Sequence, residues 1–96
     1  MTVFHPEATA EMIGHAQYYE NKSQGLGYDF LTAVEEATQR IEQFPKAAPL
    51  DRANIRKRLV SGFPFTILYE VQPDRIYIAA VMHQHRRPGY WLGRIE

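Results

Sequence analysis

The chain has 96 residues, 45% of them apolar, which supports one domain near the lower comfortable size for a self-standing core, spanning 1–96. It holds no cysteine, so disulfides, thiolate metal sites and a cysteine nucleophile are excluded, in keeping with a reducing compartment. The formal net charge of zero conceals an asymmetry: residues 1–51 carry eight acidic and three basic side chains, residues 52–96 three acidic and eight basic, and seven of those eight are arginine. A molecule charged in this way has one cationic face, and arginine suits bidentate contacts to phosphate or carboxylate.

In chain order, residues 2–5 read as a short strand. This opening lacks the basic and apolar regions of a signal peptide, and no apolar run is long enough to span a membrane. A cytoplasmic location without membrane contact is therefore expected. Pro6 fits the first turn of a helix, and Glu7 and Glu11 complement its positive end. Ala8, Met12, Ala16 and Tyr19 then recur at helical spacing to about Asn21. Gly25 and Gly27 interrupt. A second helix starts near Tyr28, with Phe30, Val34, Ala37, Ile41 and Phe44 on its apolar stripe, and Pro45 stops it. A short loop between two such helices predicts an antiparallel hairpin.

From Asn54 the period changes to two. Residues 55–60 form a strand with a basic middle, and Ser61-Gly62 turns the chain. Residues 63–71 follow, with Phe65, Ile67, Tyr69 and Val71 on one face and Pro64 at the strand start. Residues 72–75 turn again, and the last strand runs from Ile76 to about Gln84. The fold class is α+β: an N-terminal strand, then an antiparallel helix hairpin packed on a mainly antiparallel sheet. A C-terminal three-strand meander completes that sheet, and a short tail follows. The sheet face away from the helices is expected to meet solvent or a partner and to carry the charges.

The chemistry concentrates at the C-terminal end. The last strand runs directly into His83, His85, Arg86, Arg87, Tyr90 and Trp91, with Arg94 just beyond. Cations beside aromatic faces suit phosphates, stacked bases or an acidic protein. In the bland alternative, Tyr90 and Trp91 fold back as a cap on the sheet and the arginines stay in solvent. Arg56 and Arg58 share one strand face, while Ile55, Lys57 and Leu59 share the other. That makes Arg56 and Arg58 the expected surface pair, about 7 Å apart. His83 and His85 point the same way at a strand end. With no third ligand in view they make no metal site, but they suit proton transfer or a structural role. His5 and His15 read as structural or exposed. Tyr90, near arginines, suits proton transfer on a ribose or phosphate, or packs half buried. No glycine-rich phosphate loop, nucleophile elbow or carboxylate pair is present, and no cofactor is expected.

The order of these residues resembles the RelE/ParE toxin superfamily over nearly the full length. The positions concerned are Ala8, Glu11, Ala16, Tyr18-Tyr19, Gly25-Leu26-Gly27, Phe30, Phe44-Pro45, Ile55-Arg56, Gly62-Phe63-Pro64-Phe65, Ile67, Tyr69, Ala80-Val81, His83, Arg86, Pro88, Tyr90-Trp91 and Arg94. The resemblance implies the toxin of a type II toxin–antitoxin pair, held in a hetero-oligomer by a co-expressed antitoxin. The antitoxin is expected on the helix-hairpin groove or the basic sheet face.

RelE-like members of the superfamily cut mRNA on the ribosome, using basic sheet residues and a C-terminal tyrosine. ParE-like members keep the fold, lack that set and poison DNA gyrase. Here Arg56, Arg58, Arg86 and Tyr90 match part of the RNA-cleaving set. Thr66 stands where one further arginine belongs, and Gln84 where the other does, unless a shifted register puts Arg86 or Arg87 there; two missing cations would remove charge stabilisation that RNA cleavage needs. Neutral overall charge also disfavours a polyanion-binding nuclease. The expected function is ParE-like gyrase inhibition, with Arg56, Arg58, Arg86, Arg87, Tyr90, Trp91 and Arg94 as target or antitoxin contacts. The alternatives are a ribosome-dependent endoribonuclease using Tyr90, His83, His85, Arg56, Arg58 and Arg86, and a non-toxic interaction module.

Overall fold

The computed structural model describes residues 1–95. Strand β1 (Thr2–Phe4) leads into helix α1 (Pro6–Lys22), and helix α2 (Leu26–Gln43) follows. Strands β2 (Ile55–Leu59), β3 (Phe65–Val71) and β4 (Ile76–His83) form the meander, and a 3₁₀ turn, Leu92–Arg94, lies near the end. The sheet order is β1-β4-β3-β2; β1 runs parallel to β4 and the other pairs are antiparallel. The α+β architecture expected from the sequence is the one observed.

Local chemistry sets the helix ends. The His5 ring accepts the Glu7 N–H at Nδ1, 3.0 Å away, and so occupies one of the first-turn donors of α1. At the hairpin, the Glu20 carboxylate accepts the backbone N–H groups of Gly25 and Gly27 at 2.9 and 3.0 Å. An acid from the end of α1 thus caps the positive end of α2, which lets α2 begin at Leu26, earlier than the spacing predicted. Gly27 is required by proximity: a Cβ there would lie 2.5 Å from the Ala16 carbonyl oxygen of α1.

The helix stripes and one sheet face form the main core. Ala8, Ala16, Phe30, Val34 and Ile41 pack with Phe65, Ile67, Tyr69, Ile78 and Val81. Full burial of side chains such as Phe30 and Ile41 stabilises by roughly 1.5–3 kcal/mol each. Phe44 departs from the expected stripe. It is the residue at which α2 ends, and it stands exposed. A bulge helps β4 serve both faces: Tyr69 pairs with Ile78 and Leu68 with Ala80, so Ala79 has no opposite residue. Ile78 and Val81, three positions apart, consequently both reach the helix side.

The opposite face corrects an expectation. It is not an open charged surface, because a second core of Ile55, Leu68, Ala80 and Trp91 sits there, flanked by Met82, Tyr90 and Ile95. Arg56 and Arg58 lie on the other side, across from Tyr69 and Ile67, on the face that the helices cover. Apolar residues decide which way the strand faces: Ile55 is fully buried by the tail, so Arg56 and Arg58 must take the opposite face.

Candidate functional site

Strand β1 is short and pairs with β4 only as far as Ile78, with the His5 N–H extending the ladder to the Ile78 carbonyl. Past that point the outer edge of β4 needs other partners. Glu11 and Arg94 supply them. Glu11 Oε1 accepts the Val81 N–H at 3.0 Å, and Arg94 Nη1 donates to the Ala79 carbonyl at 3.1 Å. The two side chains also bind each other, Nη1 to Oε1 at 3.0 Å and Nη2 to Oε2 at 2.9 Å. Tyr90 completes the clasp, its hydroxyl donating to Glu11 Oε2 at 2.7 Å.

The clasp fixes the character of three residues expected to be contacts. Burial and the hydrogen bond to Glu11 hold the Tyr90 phenol far above its ordinary pKa, so its proton stays in place. Arg94 is mostly withdrawn from solvent and bound to Glu11, and is no free surface cation. Trp91 is 1% exposed and belongs to the second core. The cap of Tyr90 and Trp91 is thus the arrangement adopted, and it leaves Trp91 no surface for a partner. Gly89 makes the turn into the clasp at φ +78°, and a Cβ there would run into the Arg52 guanidinium.

The arginines before the clasp differ. Arg86 and Arg87 are exposed. The Arg86 guanidinium lies 3.9 Å from the Tyr90 ring centroid, a cation–π contact that orders it while leaving it accessible. Arg52 is exposed beside Gly89, and Lys57 is exposed on β2, 4.0 Å from Asp51 in a pair worth little. By contrast, Arg56 donates to the Lys46 and Ala48 carbonyls at 3.1 and 2.7 Å, tying the loop after α2 to the sheet. Arg58 is half-buried, and its Nε has no hydrogen-bond partner among the described residues. Thr66 is buried, and Gln84 is exposed.

Two histidines, His15 and His83, meet Phe65, and a third stacks beside them. His83 and His85 stack at 5.3 Å, and the His85 N–H donates to His83 Nδ1 at 3.0 Å. The Phe65 ring meets His83 at 5.0 Å and His15 at 4.5 Å, both edge-on. His15 was read from sequence only as structural or exposed. Its place, three residues after Met12 and four before Tyr19, was the signal that it would lie along the apolar stripe, where it meets Phe30 and Phe65. Burial lowers its pKa; nearby Glu11 works against that, while His83 and Arg86 add to it. No group of three histidine, aspartate or glutamate side chains suited to a metal occurs among the described residues.

The sequence reading also gave no residues for the outer face of the helix hairpin. There Ile13, Tyr28 and Leu31 stand exposed around a shallow apolar groove with Ala16 and Gly27 at its floor.

A helix hairpin on a four-stranded sheet in this order recurs in a solved structure. The structure "Chromosomal ParDE TA system from P. aeruginosa" superposes with a TM-score of 0.62, covering 85% of this chain and 92% of that one. At 15% identity the likeness is one of fold. Comparison with curated proteins gives no match. The family model described as "ParE toxin of type II toxin-antitoxin system, parDE" matches residues 2–88. The chain belongs to the ParE toxin family and is the toxin component of a ParE-like type II toxin–antitoxin system. The matched segment ends just before Tyr90, Trp91 and Arg94.

Proposed function

We propose that this toxin acts without catalysis of its own, by binding DNA gyrase, and that a cognate antitoxin neutralises it in the cytoplasm within a hetero-oligomer. Residues 1–96 act as one toxin domain in this reading. The observation that carries it is the clasp. The tyrosine that an RNA-cleaving relative would use holds its proton against Glu11, and Arg94 is committed to the same carboxylate. Thr66 and Gln84 supply no charge where the resemblance calls for two arginines. A pentavalent phosphate in transit would find too few cations to stabilise it.

Target contacts then come from the exposed cations Arg86 and Arg87, with Arg52 beside Gly89 and Lys57 exposed on β2. Arg58 is a secondary contact candidate, because it is only half-buried and lines a shallow cleft with Arg40 and Leu59. The antitoxin is assigned the groove around Ile13, Tyr28 and Leu31, which fits the apolar face of an amphipathic helix.

Expression with and without the antitoxin gene, followed by supercoiling and translation assays on purified protein, tests this reading. Gyrase inhibition with normal translation is the expected result. Cut mRNA with unaffected gyrase would replace it with the endoribonuclease reading. That reading draws on one observation, the packing of His83 and His15 against Phe65 near Arg86. Normal growth on expression alone would leave an interaction module.

A further inference from the structure

A second concave site lies between α1 and the end of β4, on the helix side of the sheet and apart from the clasp. It is lined by His15, Tyr18, Tyr19, Phe65 and His83, and its volume is about 230 Å³. All five lining side chains are rings. Aliphatic ligands gain little from such walls, whereas a flat π-system can lie against one ring and meet the edges of others. The volume is below that of pockets for drug-sized ligands, which start at about 300 Å³, so it suits a single ring system.

Charge narrows the choice of ligand. Aromatic cages often take cations, but this one has none of the carboxylates that would help, and Arg86 and Arg87 follow it in sequence. The Arg86 N–H donates to the His83 carbonyl at 2.9 Å, and the Arg86 guanidinium, over the Tyr90 ring, is near enough to His15 to help lower that ring's pKa. The nearest carboxylate, Glu11, is engaged by Val81, Tyr90 and Arg94. Burial keeps the His15 ring from charging at neutral pH and keeps the Tyr19 hydroxyl protonated. Because His83 Nδ1 accepts the His85 N–H, a neutral His83 carries its proton on Nε2, which is then a donor. The site therefore combines neutral stacking walls, polar ring edges and a cationic rim.

We infer that the cavity between His15 and His83 binds one nucleobase, with the phosphate of its nucleotide held by Arg86 and Arg87. The five lining residues are separate from the proposed gyrase contacts, whereas Arg86 and Arg87 serve both, so Tyr18→Ala tests the cavity apart from the gyrase reading. The shared chemistry, a base with an attached phosphate, has two sources: a free nucleotide, or one unit of a single strand.

The test titrates the purified toxin with AMP, GMP and UMP, with the matching nucleosides, and with inorganic phosphate, following histidine ring signals by NMR. The His15 and His83 signals are expected to move on adding nucleotide. Tyr18→Ala is expected to weaken binding about tenfold, near the lower end for losing one base–aromatic stack. Tyr18 is largely exposed, so its removal leaves the core intact, and an unchanged Tm checks this. Arg86→Ala with Arg87→Ala should reduce nucleotide affinity to that of the nucleoside. A short single-stranded oligonucleotide that binds more tightly than the mononucleotide assigns the base to a strand; equal affinity assigns it to a free nucleotide. Unmoved histidine signals at millimolar nucleotide, equal shifts with phosphate alone, or unaltered binding by Tyr18→Ala would each overturn the inference.

Discussion

Glu11 and Arg94 are 83 positions apart in sequence and share two hydrogen bonds, of 3.0 and 2.9 Å, with each side chain only 13% exposed. Through this pair the end of the chain is fastened to the first helix, over a stretch of β4 edge that β1 is too short to cover.

Breaking the pair from either side leaves a charge with little water to solvate it. Glu11→Ala and Arg94→Ala are each expected to cost about 3 kcal/mol, the lower end for disrupting a buried pair. The double variant should lose clearly less than the sum, because neither charge is then stranded. Urea unfolding of the four proteins measures this coupling, and simple additivity would show that the pair contributes nothing beyond two independent contacts.

Tyr90→Phe keeps the ring beneath Arg86 and removes one hydrogen bond to Glu11. A loss of about 1 kcal/mol is expected. Growth arrest should persist. If arrest disappears while Tm falls only slightly, the phenol takes part in chemistry and the non-catalytic reading fails.

Trp91→Ala empties a fully buried site and is expected to cost about 3–5 kcal/mol, enough to unfold much of a small domain. Wild-type Trp91 emission should be blue-shifted and shielded from iodide. Deleting the tail before Arg86 removes this core residue too, so such a truncation cannot separate docking from folding. Arg86→Glu with Arg87→Glu can: toxicity should fall while Tm stays near the wild-type value, as surface substitutions usually leave it within about 0.5 kcal/mol.

Stability should decline at both ends of the pH scale, for reasons of opposite sign. His15 has a folded pKa below its ordinary 6.5. The unfolded chain therefore binds this proton first as pH falls, and the contribution present above 6.5 is lost through the lower folded value. His15→Gln should flatten the acid limb of Tm against pH. Tyr19, Tyr69 and Tyr90 are raised above 10.0, chiefly by burial. The fold holds these protons more tightly than the unfolded chain, so their contribution is complete below 10.0 and is lost as pH rises through the folded values. Tyr90→Phe should remove the largest part of that alkaline limb.

Gly89→Ala places a side chain in left-handed backbone and against the Arg52 guanidinium. A loss of about 1–2 kcal/mol is expected from the backbone alone. Thermal unfolding reads it, and Arg52→Ala in the same chain should recover only the steric share.

Much of this protein was legible without coordinates. The 4-3-4-3 spacing of Phe30, Val34, Ala37 and Ile41 marks a helix that buries one stripe. The alternation of Phe65, Ile67, Tyr69 and Val71 marks a strand with one buried face. Both patterns are local, because a regular backbone repeats its side-chain directions at a fixed period. Boundaries were less secure where a distant group intervened: Glu20 extends the start of α2, and Phe63-Pro64 lies in the turn before β3 because proline has no N–H for the ladder.

The roles of the charged residues depended on contacts between distant parts of the chain. Arginine at 56, 58, 86, 87 and 94 looks alike in sequence. Tertiary structure ties Arg56 to the loop after α2, locks Arg94 to Glu11 and leaves Arg86 and Arg87 exposed. The face of β2 was misjudged likewise: Arg56 and Arg58 were expected at the open surface, because Ile55 and Leu59 mark the other side as apolar without saying what covers it. Trp91 covers Ile55, from a tail that turns at Gly89, while Leu59 at the end of the strand stays exposed. By itself the sequence determined the elements, their order and their buried stripes, because these follow from short-range periodicity. Only the tertiary structure decided which cations remain in solvent, because that depends on which carboxylates and carbonyls the fold brings within hydrogen-bond reach.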